Sequence, residues 1–168
     1  LEPSCLLTLR DEFLSVLPGA GTQRLAGQAL LLEEFLVRER NAGRLAPSIG
    51  RLQGKALLHG HCHQKAFGAM GAVNDALALV DGLAVAVVES SCCGMAGAFG
   101  YGADTYEVSM AMGALSLLPA VRNAAPETLI VADGFSCRHQ IHDGTGRTGQ
   151  HVARILRDAM HKASVAAW

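Results

Sequence analysis

The sequence predicts a small three-layer α/β domain with a short parallel sheet, preceded by two helices. Three observations carry this. From about residue 55 onward, short apolar runs alternate with segments of helical apolar spacing in the order β-α-β-α-β-α, the pattern of a parallel sheet crossed by helices. Two of the runs, "LAVAVVES" and "TLIVAD", are apolar without alternation, as in strands covered on both faces. The chain has 168 residues, 50% of them hydrophobic and 17% charged, enough for one domain with a real core.

Residues 6–17 ("LLTLRDEFLSVL") have helical spacing and stop at Pro18-Gly19. A second helix is predicted over 23–41, capped by Thr22, with Gly43 beyond its end. These first fifty residues read as two helices packed on the sheet, or as a connector from an upstream domain. Pro47 to Gly54 reads as a loop. Strands are expected at 55–60, 83–90 and 128–133. Helices are expected at 71–80, at 104–124 with a kink or break at Pro119, and at 147–163 with Thr148 as cap.

A net charge of −1 offers no electrostatic footprint for nucleic acid. No apolar run reaches the length of a transmembrane span. Glu2, Arg10, Asp11 and Glu12 argue against a signal peptide. The opening "LEPSC" reads like the interior of a longer polypeptide. Five cysteines are an odd number and too few for a disulfide scaffold, which fits a reducing, cytoplasmic setting where clustered thiols serve metals or catalysis.

Cys62 follows the first predicted strand, Cys92 and Cys93 the second, and Cys137 the third. In a parallel sheet those three loops leave the same edge, where ligands bind, so four thiols are expected to meet there. Adjacent cysteines on a tight turn can aim at one metal centre or at neighbouring irons. Gly94 and Gly97 permit positive φ and close backbone approach, and a helix start after them would point N–H groups at an anionic site. Thiolates select iron–sulfur clusters or zinc. In "HGHCH", His61 and His63 are weaker candidates as ligands or donors, and His59, at a strand end, reads as structural. Cys5 is a further weak candidate: "EPSCLLT" echoes "GFSCRHQ", as though Cys5 closed the first of two similar halves. A lone Cys is otherwise a small hydrophobe. Reversible disulfide exchange is a third class of thiol chemistry. A phosphatase loop is excluded, because Phe99 and Asp143 stand where its arginine would be. There is no GxGxxG, Walker or GxSxG motif, and no catalytic residue is assigned.

"HGHCHQKA", "SSCCGMAGAFGY" and "VADGFSC" together resemble the cysteine-rich CCG domain, over roughly residues 55–145. That domain occurs in the iron–sulfur subunit of glycolate oxidase, in the B subunit of heterodisulfide reductase, in the C subunit of anaerobic glycerol-3-phosphate dehydrogenase, and in the C-terminal part of bacterial FAD-linked oxidases of the D-lactate and D-2-hydroxyglutarate dehydrogenase type. The resemblance implies tandem halves, with residues 1–50 ending one half and 51–168 forming the next. It implies a [4Fe-4S] cluster on Cys62, Cys92, Cys93 and Cys137, with zinc as the alternative, and N–H groups near Gly94 and Gly97 tuning its potential. Gly134 stands where the family's CxxC has its first cysteine, a departure from the pattern. The resemblance further implies FAD elsewhere in the parent protein, upstream flavin and ferredoxin-like domains as partners, and a quinone or other electron acceptor. The expected location is the cytoplasm, with peripheral contact at the inner membrane. The chain alone is expected to have no dehydrogenase activity.

Overall fold

Strand β1 (Gly50–His59) is the centre of the sheet. In the computed structural model, which describes residues 2–46, 48–90 and 92–165, β2 (Val80–Val87) pairs with it on one side and β3 (Leu129–Ala132) on the other. A two-residue β4 (Gly149–Gln150) extends the sheet beyond β3, giving the order β2-β1-β3-β4, and every pairing is parallel. The predicted parallel sheet is therefore present, with one short strand added.

Alternation along the strands divides the core in two. Leu52, Ala56 and Leu58 of β1 and Val131 of β3 face helices α6 (Met70–Leu77) and α10 (Val152–Val165), packing on Val73, Leu77, Val152 and Ile155. Leu57, Ile130 and Ala132 face the other way, onto Leu117 and Val121 of α8 (Leu117–Asn123) and Ile141 of α9 (Phe135–Thr145). Helix, sheet and helix make the three layers. Cys93 and Cys137 lie in the second core.

The first two strands both begin earlier than the sequence suggests. β1 starts at Gly50, inside the stretch read as a loop, because Gly50 is there for contact rather than for a turn. A β-carbon on it would stand 2.5 Å from the Ala159 carbonyl, where the α10 backbone presses on the strand. The register then slips between Arg51 and Gly54, and Gly54 takes φ +146. β2 starts at Val80, ending the helix predicted over 71–80 three residues early. β2 is also an edge strand, and Ala84, Ala86 and Val87 are exposed, so it is not covered on both faces. A groove lined by Lys55, Leu57, Ala84, Ala86, Ala120 and Thr128 runs along this open face.

The two predicted N-terminal helices are four: α1 (Pro3–Thr8), α2 (Glu12–Val16), α3 (Ala20–Gln28) and α4 (Leu32–Asn41). A tertiary contact makes the second break. Arg10 Nε donates to the Ala29 carbonyl at 2.5 Å and its guanidinium pairs with Glu34, whose carboxylate also accepts the Leu31 N–H at 2.8 Å. Thr22 lies inside α3 and donates to the Leu17 carbonyl rather than capping. The long helix predicted over 104–124 is α7 (Tyr106–Ala114) followed by α8. The break falls at Leu115–Ser116, because the Pro119 ring cannot coexist with a helical carbonyl four residues earlier. The last helix starts at Val152, not near Thr148. His151 caps it, its Nδ1 accepting the Ala153 N–H at 3.0 Å. A short α5 (Cys62–Ala66) has no counterpart in the sequence pattern. Among the described residues no helix is long and apolar enough to cross a membrane.

Candidate metal centre

Three strand ends deliver the cysteines. β1 ends at His59, the chain turns at Gly60, and His61 caps α5, whose first residue is Cys62. The cap is reciprocal: His61 Nδ1 accepts the His63 N–H at 3.2 Å, and Gln64 Oε1 accepts the His61 N–H at 3.1 Å. The segment after β2 carries Cys92 and Cys93. β3 ends at Ala132, and Cys137 sits in the first turn of α9. A pocket of about 380 Å³ opens there, lined by Ser4, His61, Cys62, His63, Cys92, Cys93 and Gly97.

All five cysteines are free thiols. Cys93 and Cys137 are buried, and Cys62 and Cys92 are half-buried at the mouth. Cys93 is held well below the usual thiol range, to about 4, chiefly because the Cys137 thiol donates to it; His59 and the Met95 backbone N–H assist against the cost of burial. Cys137 is pushed up by the same shared proton and by burial. Cys62 is pushed up to about 11, first by burial and then by Cys92, to which its thiol donates. The thiols thus interact as two pairs, Cys93 with Cys137 and Cys62 with Cys92, and Cys62 and Cys92 both act on Cys137 through their charge. The four thiols expected at one edge are there. A bound cation would displace the protons they hold.

The glycine turn supplies donors. Gly94 takes φ +100 and its N–H donates to Cys92 Sγ at 3.3 Å. A β-carbon on Gly94 would overlap the Ser109 carbonyl oxygen, so the turn is pressed against α7. Gln140 Nε2 fixes that contact by donating to Ser109 O and Oγ, each at 3.0 Å. Gly97 takes φ +70. The helix start expected directly after the glycines is absent. A single 3-10 turn over Phe99–Tyr101 intervenes before α7, so the amides that reach sulfur belong to Gly94 and Met95 in the turn itself.

Sequence reasoning places His59 outside the site, and the structure puts it within. It is 1% exposed, and one of its ring nitrogens lies within 4.8 Å of the sulfurs of Cys93 and Cys137. Nδ1 meets Ser90 Oγ at 2.9 Å, while Nε2 is buried with no hydrogen-bond partner among the described residues. His59 helps to hold the Cys93 thiol down, by hydrogen bonding and by its charge. A histidine at a strand end beside predicted ligands is the signal the sequence offered. His61 is 9% exposed, with its pKa lowered by burial, and its ring covers Gly134: a β-carbon there would overlap His61 Cδ2 and stand 3.0 Å from Cys137 Sγ. The His63 ring packs edge-on to His61 with centroids 5.6 Å apart. Cys5 is exposed on α1 and does not line the pocket; α1 contributes Ser4 instead, and Glu2 accepts the Phe135 N–H at 2.8 Å at the start of α9.

Beneath the site, Asp133 ties three elements together. Its carboxylate accepts from Gln64 Nε2 of α5 at 2.7 Å and from the Val152 N–H of α10 at 3.0 Å. Glu33 of α4 lies close by, 2% exposed, with Oε1 unpartnered among the described residues; its pKa is raised to about 7 by burial and by the charge of Asp133.

Soft sulfur donors beside an unpartnered buried imidazole nitrogen fit a thiophilic metal or an iron–sulfur cluster. Calcium and magnesium call for oxygen-rich sites instead.

Over 157 residues, the chain is 29% identical to the C subunit of anaerobic glycerol-3-phosphate dehydrogenase of Escherichia coli K12, covering 94% of this chain and 39% of that protein. Over 157 residues it is 30% identical to D-2-hydroxyglutarate dehydrogenase of the same organism, covering 93% of this chain and 15% of that one. The corresponding enzyme of Pantoea ananatis is 27% identical, with the same coverage. These homologues are oxidoreductase chains, and this chain spans 39% of the first and 15% of the others. No protein-family model and no solved structure matches.

Proposed function

We propose that this chain is an iron–sulfur electron-transfer domain of a flavin-linked 2-hydroxy acid oxidoreductase, relaying electrons from flavin toward a quinone or another acceptor. The observation that carries the reading is the meeting of four sulfurs from three strand ends, with backbone amides directed at two of them. A [4Fe-4S] cluster held by Cys62, Cys92, Cys93 and Cys137 supplies one-electron chemistry when bound. The chain's own residues hold and tune it. Buried Cys93 and Cys137 keep water from one side, half-buried Cys62 and Cys92 face outward, and the Gly94 and Met95 amides donate to sulfur, which stabilises the more reduced state.

In this reading residues 1–50 end a preceding half to which Cys5 belongs, and flavin and ferredoxin-like domains act upstream. The chain by itself then oxidises none of glycerol 3-phosphate, D-lactate or D-2-hydroxyglutarate. Cytoplasmic location with peripheral membrane contact belongs to the same proposal.

A zinc-stabilised docking module is the competing reading, favoured by the three buried donors His59, Cys93 and Cys137 within 4.8 Å of one another. Metal analysis of anaerobically prepared protein decides between them. Iron with acid-labile sulfide and visible absorption supports the cluster. Stoichiometric zinc without colour overturns it.

A further inference from the structure

We infer that His59 is a direct ligand of the metal centre through Nε2, completing a mixed site of four cysteines and one histidine. The inference rests on the cluster reading above and adds to it the nitrogen that the four sulfurs leave out.

A buried imidazole is ordinarily satisfied by two hydrogen bonds, and an unpaired polar atom in the interior costs about 1–3 kcal/mol. His59 has one bond, from Nδ1 to Ser90 Oγ at 2.9 Å, and its Nε2 has no partner among the described residues. One ring nitrogen of His59 lies within 4.8 Å of the sulfurs of Cys93 and Cys137, and with Nδ1 engaged by Ser90 the nitrogen available for a further bond is Nε2. Lys65 Nζ donates to the Ser90 carbonyl and reaches Ser90 Oγ at 3.4 Å, which anchors the hydroxyl beside the His59 ring. Coordination through Nε2 requires Nδ1 to carry the proton, and Ser90 Oγ at 2.9 Å is placed to accept it. This is the usual arrangement of a metal-bound histidine, whose far nitrogen is held by a polar partner.

His61 is the nearer rival in sequence, and its hydrogen bonds disqualify it. Its Nδ1 accepts the His63 backbone N–H, so a neutral ring carries its proton on Nε2. His61 can donate to sulfur but cannot coordinate through that nitrogen. Two histidines two residues apart therefore have opposite roles, His59 as ligand and His61 as donor.

The test is pulsed EPR on the anaerobically reconstituted chain, poised at the potential that makes its cluster paramagnetic, with and without 15N-labelled histidine. Iron retention is measured alongside. The expected result is a strongly coupled histidine nitrogen in the unsubstituted chain and in His61→Gln, and its loss in His59→Ala. Iron retention should fall about tenfold or more in His59→Ala and recover in His59→Cys, which restores a ligand at the same place. A cluster that assembles without histidine coupling in the unsubstituted chain, or coupling that survives in His59→Ala, overturns the inference and leaves the cluster reading intact. A colourless zinc protein overturns the cluster reading itself, and this inference with it.

Discussion

The His61 ring lies over the bare α-carbon of Gly134, so that any β-carbon at 134 would overlap Cδ2 of the imidazole and crowd Cys137 Sγ at 3.0 Å. Gly134 has φ −67 and ψ 131, which any residue can adopt, so the glycine serves the packing of His61 and not the bend of the chain. Gly134→Ala should displace His61 from the pocket while leaving the backbone as it is. We expect unchanged far-ultraviolet circular dichroism and about a tenfold loss of bound iron after anaerobic gel filtration. Full iron retention in that variant would show that His61 has room to move without consequence.

Gly94→Ala should act on the fold itself. The added methyl would overlap the Ser109 carbonyl, which is backbone, at a φ of +100. We expect a loss of at least about 3 kcal/mol, equivalent to a fall in Tm of roughly 6–12 °C for a domain of this size. Gly97→Ala makes the internal control. It has φ +70 but nothing within 4 Å, and should cost only about 1 kcal/mol. Scanning calorimetry of the two metal-free variants checks the order.

The five cysteines should separate sharply. Serine at Cys62, Cys92, Cys93 or Cys137 should each abolish most of the iron and sulfide of the reconstituted chain. Cys5→Ser should leave both unchanged, since Cys5 is exposed on α1 and away from the pocket lining. Iron per chain and the visible spectrum are the readouts. Equal losses from all five positions would contradict the geometry.

Glu33 gives the metal-free chain a pH dependence of definite sign. Its pKa is raised from 4.5 to about 7, mainly by burial and next by Asp133. Between those values the folded chain keeps a proton that the unfolded chain has lost, so stability falls as pH rises through the window. At about 1.4 kcal/mol per pKa unit, the loss is on the order of 3 kcal/mol. Urea midpoints at pH 5 and pH 8 measure it. Glu33→Gln should flatten the difference and be the more stable protein at pH 8.

The convergence of the four cysteines was more legible in the sequence than the element boundaries around them. A cysteine placed just after an apolar run is positioned by the strand end, and strand ends survive errors of a few residues in where the strand begins. Cys62, Cys92, Cys93 and Cys137 therefore meet as expected although β1 and β2 both start early. What the sequence withheld depends on partners distant along the chain. Gly50 looks like a turn residue until Ala159 is seen against it. The break between α3 and α4 is made by Arg10, nineteen residues from the Ala29 carbonyl it binds. The apolar run of β2 says nothing about which side of it lacks a helix. His59 differs from an ordinary core histidine in having a nitrogen without a hydrogen-bond partner among the described residues, and periodicity carries no trace of that.

The placement of β3 also has a consequence for how the protein matures. β2 and β3 flank opposite sides of β1, and Cys137 arrives only with the helix that follows β3. A nascent chain synthesised as far as β2 and the glycine turn can offer Cys62, Cys92 and Cys93 but not the buried sulfur that completes the inner pair. Under the cluster reading, loading would therefore wait until β3 and α9 have been made and docked, and an assembly machine would meet a finished cradle rather than a string of loose thiols.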